Sequence, residues 1–131
     1  MKKNGFTLIE LLSIIVIIGV ISLISVPIIN NVLSNSKDKM YTTQVDILVE
    51  AGRKWGMENT SVLPEIGSDK VVCLSISDLK SGEYIESDLI KDPRNRNRYL
   101  TGKIVIRYVT SYNQYTYEYM DTSDEYDVLC K

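Results

Sequence analysis

The stretch from Leu11 to Ile29, LLSIIVIIGVISLISVPII, runs for nineteen residues without a charge, and after Glu10 the next charged side chain is Lys37. As a helix rising about 1.5 Å per residue, the run would be roughly 28 Å long, close to the thickness of a bilayer's hydrocarbon core. Such a segment can cross a membrane. Removing it from the 131 residues leaves about a hundred for a folded domain, which must have a small core. Lys2 and Lys3 precede the run and place the N-terminus in the cytoplasm, with everything after about Asn30 outside. A secretory signal peptide would have a shorter apolar run followed by a small-residue cleavage site, but the chain has no alanine before Ala51.

Composition narrows the chemistry open to this domain. The formal net charge is −2, so no global field draws it to nucleic acid or to an acidic surface. There is no histidine, no glycine-rich phosphate loop, and too few cysteines for a four-thiolate zinc site. No enzyme, cofactor or metal is expected.

Glu10 stands at the mouth of the apolar run. Locally, Thr7-Leu8-Ile9-Glu10 is a T-x-x-E capping box, and a carboxylate in the first helical turn is favoured by the helix dipole. The whole string KKNGFTLIELL, Lys2 to Leu12, says more. Basic residues, Gly5, Phe6, then Thr, Leu, Ile, Glu10 and Leu closely resemble the cleavage site of type IV prepilins and pseudopilins. The resemblance implies a cut between Gly5 and Phe6 by prepilin peptidase, N-methylation of the new amine on Phe6, and retention of the apolar helix. It makes Glu10 the glutamate that sets registry during assembly. Gly19 and Pro27 resemble the family's glycine and proline that flank a segment able to lose helical hydrogen bonds in the fibre. A static kink is the other reading, because proline withholds a backbone donor and glycine lowers helix propensity.

A helical rhythm continues beyond Pro27. Ile29, Leu33, Ser36, Met40, Ile47 and Ala51 fall within about 60° of one another at 100° per residue, with Gln44, Leu48 and Trp55 on the flank. This stripe is the expected core face, whereas Val45 and Val49 lie off it and should be exposed in a lone subunit. Gly56 or Asn59 can end the helix, which would then be roughly 75 Å long. Val71–Leu74 is expected to be a short strand, followed by a helical turn or two with Ser77 as candidate cap and Gly82 after the end. Lys103–Thr110 and Gln114–Met120 alternate as a β-hairpin, and Asp127–Cys130 can add an edge strand. The expected class is α+β and type IV pilin-like: one long N-terminal helix, its first half transmembrane, packed on a small antiparallel sheet of three or four strands.

Cys73 and Cys130 both fall in the part placed outside the cytoplasm, where a disulfide persists, and a bridge is the expected state. Closing a loop of some 56 residues, it would contribute about 4 kcal/mol in the chain-entropy model. Two reduced, buried thiols are the alternative. Lys91–Arg98, KDPRNRNR, gathers four cations around one aspartate in an expected loop, so Arg94, Arg96 and Arg98 are candidates for contact with nucleic acid or a neighbouring subunit. The acidic run Asp121–Asp127 could offer oxygens to calcium, but it lacks calcium-loop spacing and a solvated loop is the default there.

The expected organisation is a leader, 1–5; the transmembrane half of the helix, 6–29; its amphipathic half, 30–56; and an extracellular head, 57–131. The resemblance implies a major or minor subunit of a type IV pilus or of a type II secretion or competence pseudopilus. Its partners would be itself or other pilins, the peptidase and methyltransferase, the assembly platform with its ATPase, and the membrane. It would sit in the cell membrane before assembly and in a surface filament afterwards. Two alternatives stand beside this: a membrane-anchored extracellular binding module, and a minor pilin of a competence filament that contacts DNA.

Overall fold

A computed structural model describes residues 3–87, 89–121 and 128–130 of the chain. The chain divides into two compact units, Met1–Lys37 and Asp38–Lys131. Helix α1, Leu8–Glu58, contributes to both.

In the first unit the helix meets the requirements of lipid. Its apolar side chains from Leu8 to Leu33 are all exposed, and the helix is long and apolar enough to cross a membrane. The hydroxyls of Ser13, Ser22 and Ser25 donate back to the carbonyls of Ile9, Ile18 and Ile21 at 2.7–2.8 Å, so each is satisfied without water. The helix continues through Gly19 and Pro27 without a break. Pro27 offers no N–H to the carbonyl of Leu23, and a Cβ on Gly19 would meet nothing within 4 Å. Packing inside the chain therefore does not require that glycine.

The second unit is a two-layer head. Strands β1 (Val71–Ser75), β4 (Lys103–Val109) and β5 (Gln114–Met120) form an antiparallel sheet in the order β1-β4-β5. Register places Leu74 opposite Ile104 and Ile104 opposite Tyr119, then Val72, Ile106 and Tyr117 in the next row. This face packs on α1: Leu48, Ala51, Leu74, Ile76, Leu79, Leu100, Ile104 and Ile106 form the buried cluster, with Trp55, Tyr115, Tyr117 and Tyr119 against it. Expected and observed hairpins agree, and Thr110 to Asn113 form the turn, Asn113 taking positive φ.

The helix face is rotated from the one that periodicity picks out. Leu48 is fully buried, whereas Met40 and Ile47 on the expected stripe are 56% and 58% exposed. Val49, expected outside, packs against the core, and Val45 is half-buried. Close approach explains the rotation by about one residue, or 100°. Gly52 and Gly56 face the sheet, and a Cβ on Gly52 would lie 2.8 Å from Ile104 Cγ2, while one on Gly56 would strike the Tyr117 ring. Bulky apolar residues on the neighbouring face cannot let the sheet come this near.

Three other expectations change. Helix α2, Ile76–Ser81, is capped by Ser75 rather than Ser77: Ser75 Oγ accepts from Asp78 N at 3.1 Å and Ser75 N donates to Asp78 Oδ2 at 2.8 Å. The KDPRNRNR loop is a hairpin of β2 (Lys91–Asp92) and β3 (Asn95–Tyr99), tied to the head by Leu100 N donating to Ile90 O at 2.7 Å. Val128 and Leu129 are helical, so no edge strand forms there, and Asp127 lies outside the described residues. The Cys73–Cys130 disulfide is present. Val105 lies opposite Cys73 on the sheet face away from α1, yet it is fully buried, which is where the stapled tail must return. Asn59 ends α1, its N–H and side-chain amide both donating to the Trp55 carbonyl at 2.9 Å.

Replacing Gly52 by alanine sets a gain in helix propensity of about 1 kcal/mol against overpacking of about 1–3 kcal/mol on Ile104, which is buried and β-branched and cannot step aside. Overpacking wins. Gly52→Ala should lower the thermal midpoint of the detergent-solubilised chain, and by more than Gly56→Ala, where the half-buried Tyr117 ring can swing.

Candidate functional site

Residues 3–7 are exposed and not helical, and α1 begins directly after them. The expected box is formed. Thr7 N donates to Glu10 Oε2 at 2.8 Å, and Glu10 N donates to Thr7 Oγ1 at 3.3 Å. The first helical bond, Leu11 N to Thr7 O at 3.2 Å, closes the turn. Thr7 is thus the N-cap, and two amides without intrahelical partners are satisfied reciprocally.

This cap leaves the Gly5–Phe6 peptide one residue outside the helix. Phe6 is 81% exposed. A peptide bond in an exposed, non-helical segment with glycine on its N-terminal side is open to a peptidase without unwinding any structure. Asn4, Gly5, Phe6 and Glu10 line one shallow depression. The Glu10 carboxylate uses Oε2 for the cap, and no hydrogen bond to Oε1 is formed among the described residues. One lone-pair face is therefore open to an incoming cation.

The basic hairpin has a different character from the one its charge suggests. Asp92 is buried, and its carboxylate accepts Arg94 N at 2.9 Å, Arg94 Nε at 3.0 Å and Arg94 Nη2 at 2.9 Å, an Asx-type turn with a bidentate guanidinium clamp. The same guanidinium lies 3.4 Å from the centre of the Tyr41 ring on α1. Arg98 Nη2 donates to Asp121 Oδ2 at 2.7 Å, with Arg94 Nη2 at 3.5 Å from the same oxygen. Tyr119 OH donates to Asp121 Oδ1 and accepts from Gly102 N, each at 3.1 Å.

Two of the three candidate arginines thus hold the hairpin to the helix and the sheet, and Arg96 stays exposed. Tyr41, Asp92 and Asp121 complete this cluster; neither Tyr41 nor Asp92 is a sequence candidate, and Asp121 enters the sequence reading only as part of the acidic run. The D-P-R order was the available signal, since Asp followed by Pro favours a turn in which the carboxylate meets the next backbone amide. Hydrogen bonds from Arg94 hold the Asp92 carboxyl below its usual range, and burial raises the Tyr119 and Tyr41 hydroxyls above theirs. Among the described residues no group of three or more His, Cys, Asp or Glu side chains is placed to hold a metal. The calcium reading of the acidic run concerns residues mostly outside those described, and its first member, Asp121, is taken by guanidiniums.

Residues 1–26 match the prokaryotic N-terminal methylation motif, the signature of type IV pilin and pseudopilin precursors. Residues 27–131 lie outside that match. Nothing among curated proteins matches the chain, and nothing among solved structures does.

Charge in the Asp92 cluster sets how the head responds to acid. The folded carboxyl titrates below its unfolded value of about 3.9, so its contribution is full above that pH and is lost as pH falls through the lower, folded value. Arg94 is 38% exposed, so water screens the pair and Asp92→Asn should cost about 1.5 kcal/mol at neutral pH. The gap in thermal midpoint between the wild-type chain and Asp92→Asn should close as pH falls below about 4. An unchanged gap at low pH would mean that shape, not charge, holds the hairpin.

Proposed function

We propose that this chain is a structural subunit of a type IV pilus or a related pseudopilus, working by assembly and not by catalysis. The observation that carries this reading is the methylation motif over residues 1–26, with its Gly5–Phe6 bond in an exposed segment immediately ahead of a membrane-length helix. The leader, 1–5, keeps its lysines in the cytoplasm until prepilin peptidase cuts after Gly5. Phe6 then carries a new amine, which methylation leaves basic. Residues 6–29 hold the subunit in the membrane, 30–56 link the span to the head, and 57–131 stay outside the cell. Assembly machinery draws the subunit into a surface fibre.

Glu10 sets registry in this scheme. A carboxylate within lipid favours any arrangement that neutralises it, and the amine of Phe6 on an adjacent subunit is the matching cation. Support comes from Oε1, which accepts no hydrogen bond among the described residues and can receive that amine while Oε2 keeps its bond to Thr7. The alternative of a DNA-contacting subunit draws less support, because Arg94 and Arg98 are engaged by Asp92 and Asp121.

Mass spectrometry of sheared surface filaments should find a subunit beginning at Phe6, heavier by one methyl group, and lighter by two hydrogens for the disulfide. An anchored chain that retains Met1–Gly5 and never enters a fibre would defeat the proposal and favour a membrane-tethered binding module. Glu10→Gln should still be processed and inserted but enter fibres roughly ten-fold less well or worse, the scale of losing one charge-assisted bond. Normal incorporation of Glu10→Gln would leave the carboxylate with its capping role alone.

A further inference from the structure

The chain has eight asparagines, a residue type whose short amide side chain can reach the backbone nitrogen of the residue after it. Closing a bond onto that nitrogen needs an amide not held elsewhere, an N–H not committed to a helix or a ladder, and little bulk on the residue that carries it. All but one of the asparagines fail. Asn30, Asn31 and Asn35 lie inside α1, where the following nitrogens serve the bonds to carbonyls four residues back. Asn59 holds its side-chain amide on the Trp55 carbonyl at 2.9 Å. Asn95 and Asn97 lie in β3 ahead of the bulky Arg96 and Arg98, and Asn95 Oδ1 already accepts from Asn97 N at 3.1 Å. Asn113 Oδ1 accepts from Tyr108 OH, and the next residue, Gln114, opens strand β5.

Asn4 passes on every count. Alone among the eight it precedes a glycine. Asn4 and Gly5 are exposed and not helical, and among the described residues neither the Asn4 side chain nor Gly5 N makes a hydrogen bond. A Cβ on Gly5 would meet nothing within 4 Å, so this glycine does not serve close packing. Its effect is to leave its own nitrogen unshielded.

We propose that Asn4–Gly5 is a site of spontaneous deamidation, and that this reaction competes with the cut at the next peptide bond. Hydroxide takes the Gly5 amide proton, and Gly5 N attacks Asn4 Cγ: the new C–N bond forms, the Cγ–Nδ2 bond breaks, and ammonia leaves. Water then opens the cyclic imide. Attack at Cγ gives an aspartate, whereas attack at the main-chain carbonyl routes the backbone through Cβ and Cγ and gives an isoaspartate, longer by one methylene. Water replaces ammonia, so no oxidant, reductant or cofactor is needed. Either product sets an anion beside Lys2 and Lys3, the residues that keep the leader in the cytoplasm, and the isoaspartate also shifts Gly5–Phe6 away from them. The cut after Gly5 removes the pair, so the mature subunit is spared and only a chain that waits uncut ages. The inference rests on the processing reading above and adds to it a limited lifetime for the precursor.

The test uses the full-length precursor in detergent. Held in mildly alkaline buffer, it should gain the mass difference between water and ammonia, and do so faster than in mildly acidic buffer. Electron-based fragmentation should place that gain at Asn4, with isoaspartate among the products. Asn4→Gln, whose longer side chain must close a larger ring, should lose the gain over the same interval. Offered to prepilin peptidase, the aged wild-type precursor should leave an uncut remainder enriched in isoaspartate, while aged Asn4→Gln should be cut as completely as the same variant when fresh. No gain at Asn4, or an equal gain at the other asparagines, would overturn the site. Gain at Asn4 with aged precursor cut as fast as fresh would overturn the competition. Fresh wild-type precursor that the peptidase does not cut at Gly5–Phe6 would defeat the processing reading instead, and the mass gain at Asn4 would still be read.

Discussion

Apolar surface that cannot be covered by its own chain governs everything else about this protein. Between Leu11 and Ile29 the helix offers water hydrocarbon and only three serine hydroxyls, and burying apolar area is worth about 25 cal/mol per Å². Lipid is a solvent that can take that surface. Lipid also forbids unsatisfied backbone, which is why the segment is helical and why its three serines turn their hydroxyls back onto their own carbonyls. Gly19 and Pro27 run against that economy, since neither is required by packing in the chain and one removes a hydrogen bond. Their cost makes sense if the helix must leave lipid for protein neighbours.

The head solves a different problem with the same helix. It is too small for a deep core, and it brings α1 and the sheet together by removing side chains at Gly52 and Gly56 instead of adding them. The disulfide then returns the tail to the far face of the sheet, where Val105 is fully buried although it faces away from α1. The Asp92–Arg94–Asp121–Arg98 cluster holds the exposed hairpin, whose strand β3 has no buried residue of its own to hold it.

What could be read from the sequence divides by the range of the interaction. The membrane-length run, the T-x-x-E box and the tyrosine-rich hairpin are local patterns, and each appears where expected. The helix phase was misjudged because periodicity weighs hydrophobicity, so Met40 and Ile47 outweighed Gly52, although closeness of approach decided the contact. The β2–β3 hairpin escapes a sequence reading because its strands are mostly polar and β3 is wholly exposed, and its stability comes from Arg94 reaching Tyr41, fifty-odd residues away, which no local window contains. At the N-terminus, by contrast, the interactions among the described residues span three or four residues, and the Thr7–Glu10 box is legible in the sequence itself.

That cap also changes how Glu10 can serve assembly. A carboxylate spent wholly on its own helix would have to abandon its amides before it could accept another subunit's amine, and each exchange would cost a hydrogen bond in lipid. Glu10 keeps Oε2 on Thr7, and among the described residues Oε1 accepts no hydrogen bond, so on the proposed reading capping and pairing would not compete. On the proposed filament reading, burial of apolar helix surface would supply the drive to assemble, while the Glu10 carboxylate would decide which register the helices adopt.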